Sequence, residues 1–297
     1  MMRFLTANKK LILSILLNIV LLFTLLALLY LVYPELIYHL DSVSNLWDRY
    51  SIRTYRKNEA RAAYFEVMTR YRRLYSFSGE QRFFVEYLGG HLTGNGEPDI
   101  VIRQWEGGAH GDSKYIVLEL DGSTAKRIDV IDGLLDAGFK DLNGDGVDEI
   151  TGMDGSYNNF LGESTAASPR PLVILSFDRG QDRFVPNREM MVKAPLSREQ
   201  FNEMSQRYRG DKAWHERSRP PADLLETMLQ LIYSANEKQA WELFDASWPD
   251  PSPVSKEQYR EDIRAELSRA LTHSPFYRTI DHWNKERQRA FKGLPSN

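Results

Sequence analysis

The spacing of apolar residues changes several times along the chain, and each pattern predicts a different kind of element. An uninterrupted apolar run extends from Leu11 to Val32. Apolar residues then recur every three or four positions up to Tyr75, alternate with polar residues in short runs over 81–193, and return to helical spacing after Ser197. These patterns predict an α+β protein with an N-terminal transmembrane helix, an antiparallel β domain and a C-terminal helical region.

The length of 297 residues suits roughly two folded domains. The changes of pattern divide the chain into four parts. They are a cytoplasmic stub with a transmembrane anchor (1–33), a helical connector (34–80), a β domain (81–194) and a helical domain or cap (195–297).

The apolar run Leu11–Val32 has the length of a membrane span. Its 22 residues contain no charged side chain, and as a helix they would extend about 33 Å, close to the roughly 30 Å hydrocarbon core of a bilayer. A cleaved signal peptide is the alternative, but its apolar part is about 7–15 residues long and is followed by a small-x-small site. Leu31, Val32 and Tyr33 do not form such a site, so we favour an uncleaved anchor.

Basic residues precede this run and predict its orientation. Arg3, Lys9 and Lys10 lie before Leu11, and no acidic residue accompanies them. Positive charge favours the cytoplasmic side. The sequence therefore predicts an inner (cell) membrane protein with a cytoplasmic N-terminus, whose residues 34–297 lie in the periplasm or another extracytoplasmic space.

The connector is predicted to be helical over 42–75, most clearly from Asn58 to Tyr75. Apolar residues there share one helical face, and they are Ala60, Ala63, Tyr64, Val67, Met68, Tyr71 and Leu74. Arginines occupy the remaining positions and are interpreted as a solvated face, because the predicted location argues against RNA.

Short β-type runs and helical runs account for the rest of the chain. Seven runs within 81–193 are rich in β-branched and aromatic residues and predict about seven mostly antiparallel strands; they are RFFVEYL, PDIVIRQW, KYIVLEL, AKRIDVID, DEITGM, PLVILSF and DRFVP. Helices are predicted for SREQFNEMSQRY, PPADLLETMLQLIYSA, EKQAWELFDASW and KEQYREDIRAELSRALTH.

Charge and cysteine content exclude several classes of function. The chain has 38 basic and 41 acidic residues, a net charge of −3, so no nucleic-acid partner is expected. Residues 81–194 hold 11 basic and 19 acidic side chains, a net of −8 (11 − 19), which suits a cation or a polar ligand. The absence of cysteine excludes disulfides, thiolate zinc sites and cysteine nucleophiles.

The segment FKDLNGDGVDEITG in this acidic region has the pattern of a calcium loop. In D-x-N-x-D-G-x-x-E, alternate side chains of a tight loop converge on one point, and glycine at position six permits the left-handed backbone of the turn. The predicted calcium ligands are Asp141, Asn143, Asp145, the carbonyl of Val147, and Glu149. The alternative is a turn held by its own side-chain hydrogen bonds, without an ion.

Two comparisons narrow the interpretation of this loop. A helix–loop–helix calcium hand is excluded, because position twelve is Gly152 and the flanks are typical of a strand. An earlier segment, HLTGNGEPDIVI from His91 to Ile102, repeats the pattern at an offset of fifty residues. Its first and third positions are His91 and Thr93, poor calcium ligands, so that copy is expected to be an ion-free turn.

Both segments resemble FG-GAP or VCBS-type repeats, whose D-x-N-G-D-G-x-x-D loops join the strands of propeller blades and commonly bind calcium. The resemblance implies two blade-like repeats in an exported bacterial protein without an assigned activity. Two repeats cannot close a propeller. Either the two blades pack as a sandwich, or the helices cover the open sheet edges.

The sequence contains no recognisable catalytic motif. It lacks H-E-x-x-H, G-x-S-x-G and P-loop patterns, and the glycine-rich stretch Trp105–Asp112 is interpreted as a hairpin loop. We expect a non-enzymatic, membrane-anchored calcium-binding scaffold or protein-interaction module with a periplasmic or membrane protein partner, such as an accessory subunit of a membrane complex. An envelope hydrolase acting on glycan or peptide is the alternative.

Overall fold

The structure is a computed structural model that describes residues 16–27, 38–57, 63–105, 107, 113–216, 219–250, 252 and 255–292. The chain divides into two compact units, Met1–Phe84 and Val85–Asn297. The unit boundary falls close to the predicted start of the β domain at residue 81, but the elements on its N-terminal side differ from those predicted.

The predicted transmembrane helix is contradicted. The described part of the apolar run, residues 16–27, forms a helix, α1, of 12 residues. Among the described residues, no helix combines the length and apolar character that a membrane crossing requires. The rest of the predicted span, 11–15 and 28–32, lies outside the described residues.

The predicted helical connector is also wrong, because the first unit contains a four-stranded antiparallel sheet. Its strands follow one another in sheet order; they are β1 (His39–Leu46), β2 (Tyr50–Arg56), β3 (Ala63–Thr69) and β4 (Arg73–Gly79). The residues used to predict a helix face also fit a strand with a buried centre, since β3 is buried from Ala63 to Val67. Aromatic and β-branched side chains favour that pleated arrangement.

Each face of this first sheet has a different character. On one face, Phe65 packs against Tyr75, Phe77 and Phe83, with ring centroids 5.1–6.1 Å apart. On the other face, the buried carboxylate of Glu66 accepts hydrogen bonds from the hydroxyls of Tyr55 (2.8 Å) and Tyr64 (3.2 Å). The buried carboxylate therefore has hydrogen-bond partners, as stable folds require.

Two further four-stranded antiparallel sheets, each with its strands in chain order, belong to the second unit except for the first three residues of β5, which precede the unit boundary. The first sheet consists of β5 (Arg82–Gly90), β6 (Asp99–Trp105), β7 (Ser113–Leu120) and β8 (Ala125–Ile131). The second consists of β9 (Leu134–Lys140), β10 (Glu149–Asp154), β11 (Leu172–Asp178) and β12 (Arg183–Pro186). A side chain of β8 and the backbone of β12 join the two sheets, where the Asp129 carboxylate accepts a hydrogen bond from the Phe184 N–H at 2.8 Å.

The sequence pattern missed β9. Its segment, LLDAGFK, contains Asp136 and Gly138, which have low strand propensity. Asp136 adopts a positive φ of 52°, and the pairing of β9 with β10 shifts register between Thr151 and Met153. An irregular strand of this kind lacks the alternation on which the prediction depended.

Helices make up most of the chain after Asn187. They are α2 (Arg188–Met191), α3 (Arg198–Arg209), α4 (Ala213–Glu216), α5 (Ala222–Tyr233), α6 (Glu237–Ser247), α7 (Lys256–His273) and α8 (Tyr277–Lys292). Ser197 and Gln200 form a capping box at the start of α3. The predicted helical segments correspond to α3, α5, α6 and α7, and α8 was not predicted.

Sheets and helices of the second unit share one hydrophobic core. The core contains strand residues such as Val117 and Leu175 together with helix residues such as Ile232, Phe244 and Ile280. The predicted β domain and helical region therefore belong to one compact unit, in which the helices cover the sheets rather than form a separate domain.

Candidate functional site

The predicted calcium residues occupy the loop between β9 and β10. Asp141 directly follows β9, and Glu149 is the first residue of β10. Asn143 and Asp145 are exposed, whereas Glu149 is only 3% exposed. Gly144 and Gly146 have φ of 81° and 85°, the left-handed conformation that the motif requires of glycine.

Hydrogen bonds from the backbone hold the carboxylates of this loop in place. Both oxygens of Asp141 accept, one from the Gly144 N–H (2.6 Å) and one from the Gly146 N–H (2.9 Å). These bonds lower the pKa of the Asp141 carboxyl. Asp145 accepts from the Val147 N–H (2.8 Å) and Glu149 from the Leu142 N–H (2.9 Å).

Two carboxylates converge on one nitrogen atom within this loop. Nδ2 of Asn143 donates to Asp145 Oδ2 at 2.9 Å and approaches Glu149 Oε1 at 3.4 Å. The Asn143 carbonyl oxygen instead accepts from the Asp145 N–H at 2.8 Å. The amide nitrogen thus occupies the place of a bridging cation, and Asn143 would need to turn its oxygen inward to become a ligand.

Within the described ranges, no group of three or more histidine, aspartate and glutamate side chains is arranged to hold a metal ion. A calcium loop of this type also uses amide and carbonyl oxygens. The fit is therefore partial: Asp145 and Glu149 converge on one point, while Asp141 bonds to the backbone.

The loop His91–Asp99 occupies the equivalent place between β5 and β6. Asp99 opens β6 as Glu149 opens β10, and it accepts from the N–H groups of Leu92 (2.6 Å) and Thr93 (2.8 Å). Asn95 accepts from the Glu97 N–H at 2.8 Å, as Asp145 does from Val147. The two loops therefore share a hydrogen-bond skeleton.

Histidine changes the first position of that skeleton. Nδ1 of His91 donates to the Glu97 carbonyl at 3.1 Å, and this carbonyl corresponds to the predicted Val147 ligand. Burial raises the pKa of Asp99 to about 6 despite the two backbone donors. The Glu97 carbonyl oxygen, which a bound ion would need as a ligand, is already hydrogen-bonded to the His91 imidazole.

Direct contacts link the two loops. The Asp148 N–H donates to the His91 carbonyl at 2.8 Å, and the Tyr87 hydroxyl donates to the Asp148 carboxylate. Arg179 donates to the Thr93 carbonyl at 2.8 Å. A side chain at Gly90 would overlap the Tyr87 hydroxyl, so glycine is required for this close approach.

A buried polar cluster joins the sheets to the helices. The fully buried Asp154 accepts from the hydroxyls of Tyr233 (2.5 Å) and Ser274 (2.5 Å) and from the Ser156 N–H (2.9 Å). Burial raises the pKa of Tyr233 well above its usual value, so this hydroxyl remains a donor. Because the cluster is enclosed and its hydrogen bonds are made internally, we interpret it as structural.

Clefts among the described residues include one of about 480 Å³ between α6, α7 and α8. The half-buried Trp241 lies in it, with the guanidinium groups of Arg260 and Arg264 5.6 Å and 5.4 Å from the ring centroid. Arg260 donates twice to Asp245 (2.9 and 3.1 Å), and Lys238 pairs with Glu242 at 3.7 Å. The acids of this cleft are therefore engaged in ion pairs.

Exposed aromatic and basic residues gather at one end of the first sheet. Trp47 is 59% exposed in the β1–β2 turn and Tyr71 is 86% exposed in the β3–β4 turn. Tyr50 pairs with Thr69, so the two turns lie at the same end of the sheet. We call this end the hairpin-tip surface; its residues are Trp47, Asp48, Arg49, Arg70, Tyr71 and Arg72.

The backbone of the first tip is strained. Trp47 and Asp48 have φ of 51° and 53°, and the Arg49 N–H closes the turn on the Leu46 carbonyl at 3.1 Å. Turns with two left-handed residues favour Asn-Gly, and each ordinary residue in that conformation costs about 1–2 kcal/mol. Retaining an exposed tryptophan under strain suggests a role for that side chain.

Sequence reasoning missed this surface because the two tips are 24 residues apart, from Trp47 to Tyr71. Only strand pairing brings them together, whereas the sequence pattern predicts a helix in this segment. The other proposed loop, Trp105–Asp112, falls mostly outside the described residues, which include only Trp105 and Gly107 from it.

Comparisons of the chain with protein-family models, with curated proteins and with solved structures found no match. The resemblance of the two loops to FG-GAP or VCBS-type repeats therefore stays a prediction from the sequence.

Proposed function

We propose that this chain is a non-enzymatic protein-interaction module whose larger unit binds calcium in the loop Asp141–Glu149. The observation that carries the calcium proposal is the convergence of Asp145 and Glu149 on one nitrogen atom, at 2.9 and 3.4 Å. Two carboxylates that meet at one donor would also attract a cation, and the backbone bonds to Asp141 already fix the turn.

Calcium in this site would be held by Asp141, Asn143, Asp145, the Val147 carbonyl and Glu149. The ion would replace the internal hydrogen bond of Asn143, whose oxygen would turn inward. Because Glu149 opens β10 and Asp141 follows β9, a bound ion would tie the two strand ends together. The expected effect is a stiffer sheet rather than a chemical reaction.

An extracytoplasmic location is part of the proposal. Exported calcium modules commonly have dissociation constants of about 0.1–1 mM, and such a site would remain empty at cytosolic calcium concentrations. The proposal includes no membrane-spanning anchor, since the described residues provide none.

An envelope hydrolase is the alternative, and the structure offers it less support. A glycosidase requires two carboxylates about 5–10 Å apart across a substrate cleft, one of them free to donate a proton. In the cleft beside Trp241, Asp245 bonds to Arg260 and Glu242 pairs with Lys238. Neither acid is free for that role, and the calcium loop lies on an exposed turn.

Thermal unfolding of the full-length chain, with calcium or with chelator, tests the calcium proposal. Calcium at 100 times its dissociation constant should stabilise the fold by about 2.7 kcal/mol, because it binds the folded loop and not the unfolded chain. Magnesium should substitute poorly, since it requires a smaller octahedral shell. Asp145→Ala should abolish the calcium shift, and the matched Asn95→Ala in the first loop should retain it.

Identical melting of the wild-type chain in calcium and in chelator would remove calcium from the proposal. The loop would then be a turn held by its own hydrogen bonds, and the claim of an interaction module would depend on the hairpin-tip surface alone.

A further inference from the structure

We propose that the hairpin-tip surface is a docking site for a protein partner that presents a carboxylate-rich surface. This inference deepens the proposed function, because it names the surface and the kind of partner for the interaction module. It does not depend on calcium.

Charge is the first argument for an acidic partner. Arg49, Arg70 and Arg72 are exposed at the tips, where Asp48 is the one acidic residue of the surface. Within the described part of the chain, no ion pair joins these three arginines to a carboxylate; Arg49 and Arg70 lie over the rings of Tyr50 and Tyr71, at 5.2 and 5.3 Å. Their guanidinium groups can therefore donate hydrogen bonds to carboxylates of another molecule, in the bidentate geometry that arginine favours.

The aromatic residues are the second argument. Tryptophan, tyrosine and arginine are the residue types that dominate binding energy in protein–protein interfaces, and all three occur on this surface. Trp47 and Tyr71 are 59% and 86% exposed, so their rings would lose water only when a partner covers them.

Backbone geometry is the third argument. Both turns are closed by backbone hydrogen bonds, Arg49 N–H to Leu46 at 3.1 Å and Thr69 N–H to Arg72 at 2.7 Å. The rings and guanidinium groups thus project from fixed hairpins, which lowers the entropy lost on binding. Trp47 has a strained φ of 51°, and an Asn-Gly turn would relax that strain.

Photo-crosslinking in the producing cells tests the proposal on the full-length chain. The photoreactive amino acid p-benzoylphenylalanine replaces Tyr71, or Arg82 near the opposite end of the sheet, or Trp241 in the helical cleft. We expect position 71 to capture one protein at least about tenfold more than position 82, with several aspartates or glutamates in the captured peptide.

Charge reversal separates a specific surface from general attraction. The double variant Arg70→Glu/Arg72→Glu should lower the crosslink from position 71 by about tenfold or more at an unchanged melting temperature. The matched double variant Lys57→Glu/Arg82→Glu, with the same change in net charge at exposed sites near the other end of the sheet, should lower it less than about twofold. Equal losses in the two variants would overturn the proposal.

The identity of the captured molecule shows whether the hairpin-tip surface binds an acidic protein or another kind of molecule. The acidic-partner proposal would be overturned by capture of lipid or of nucleic acid. It would also be overturned by capture of a segment without acids, whether from another protein or from a second copy of this chain. A crosslink from position 241 alone would overturn the hairpin-tip surface and leave the interaction module standing. No crosslink from either position would count against both.

A relaxed turn tests the contribution of Trp47. Trp47→Asn with Asp48→Gly should raise the melting temperature by several degrees, since it removes the strain, and should weaken the crosslink from position 71 about fivefold or more. An unchanged crosslink in a more stable variant would exclude Trp47 from the docking surface.

Discussion

The loops His91–Asp99 and Asp141–Glu149 connect equivalent strands in two neighbouring sheets, with the same backbone turns and different chemistry at their first position. In each loop, the acid that opens the following strand accepts backbone N–H groups from the start of the loop, two for Asp99 and one for Glu149. Gly94 and Gly96 in the first loop have positive φ, as do Gly144 and Gly146 in the second. The glycines and the closing acid therefore specify the turn in both.

The first position decides what else each loop can do. His91 donates to the Glu97 carbonyl and so uses an oxygen within the loop. Asp141 accepts from two glycine N–H groups, and its negative charge adds to those of Asp145 and Glu149 in the same loop. The shared glycines and closing acid are thus needed for the turn, whereas the residue at the first position determines whether an ion can bind. Single substitutions can test these two roles separately.

Removing the closing acid should have the largest effect, and it should be unequal between the loops. Asp99→Ala leaves the N–H groups of Leu92 and Thr93 without an acceptor, at residues that are 0% and 3% exposed. We expect a loss of about 3–4 kcal/mol in the free energy of unfolding. Glu149→Ala exposes one N–H, at Leu142, which is 45% exposed, so water can replace the acid and the loss should be about 1–2 kcal/mol.

Denaturant unfolding of the full-length variants in chelator measures both losses. Equal losses of unfolding free energy in Asp99→Ala and Glu149→Ala would show that burial of the unpaired N–H groups does not determine the size of the effect. In calcium, the loss for Glu149→Ala should grow, and that for Asp99→Ala should not.

The pH dependence of stability should differ between the loops. Burial raises the pKa of Asp99 to about 6 in the folded state, above about 3.9 in an unfolded chain. The folded state therefore binds this proton more tightly, and the associated stability is present below about pH 4 and is lost as pH rises through 6. The difference in unfolding free energy, wild type minus Asp99→Asn, should fall by about 2–3 kcal/mol from pH 4 to pH 7.

Unfolding at four pH values with chelator tests this slope. Asp141→Asn is the control from the second loop, because backbone hydrogen bonds lower the pKa of Asp141. The difference in unfolding free energy, wild type minus Asp141→Asn, should therefore rise with pH. A flat difference for Asp99→Asn would contradict the raised pKa.

Grafting the second loop onto the first should transfer the ion site. His91→Asp with Thr93→Asn gives the sequence D-L-N-G-N-G-E-P-D, frees the Glu97 carbonyl, and restores the oxygen pattern. We expect a second bound calcium in titration calorimetry and about 1–2 kcal/mol of added stability in saturating calcium.

The same two types of substitution at an exposed helix end, Thr272→Asn with His273→Asp, provide the control, with no expected gain in calcium. Failure of the graft to bind a second ion, while the wild type binds one, would show that the shared skeleton differs in shape as well as in ligands.

Local turn chemistry was predictable from the sequence, and long-range pairing was not. Glycine and Asx residues at fixed spacing identified both loops, because their conformations depend on residues a few positions away. The helix predicted over 42–75 failed because Tyr64 and Val67 fit helical spacing as well as strand β3. The hairpin-tip surface was missed for a related reason, since the proximity of Trp47 and Tyr71 depends on the pairing of β2 with β3.

The apolar N-terminal run shows that apolar composition alone does not establish a membrane span. Residues 16–27 form the helix that apolar composition predicts, but no helix among the described residues meets the requirements of a membrane crossing. Asp154 is fully buried among partners that come from the helical region distant in the sequence, Tyr233 and Ser274, so local sequence patterns do not predict its burial.

The contact that joins the two loops should give the smallest effect. Asp148 accepts from the Tyr87 hydroxyl through its carboxylate and donates its N–H to the His91 carbonyl at 2.8 Å. Tyr87→Phe removes one hydrogen bond from a half-buried site without leaving a cavity, so we expect a loss of about 1 kcal/mol. The control is Tyr259→Phe, since the described residues give the Tyr259 hydroxyl no hydrogen bond and its removal should change stability by less than about 0.5 kcal/mol.

Calcium makes this last measurement informative about the loops as a pair. Asp148 is at position eight of the motif and is not a predicted ligand, so the loss for Tyr87→Phe should be equal in calcium and in chelator if the ion acts only within Asp141–Glu149. A loss that doubles in calcium would show that the ion site extends through Asp148 to the first loop. The two loops would then act as one unit, and the contrast between an ion-free turn and a calcium turn would have to be replaced by a single shared site.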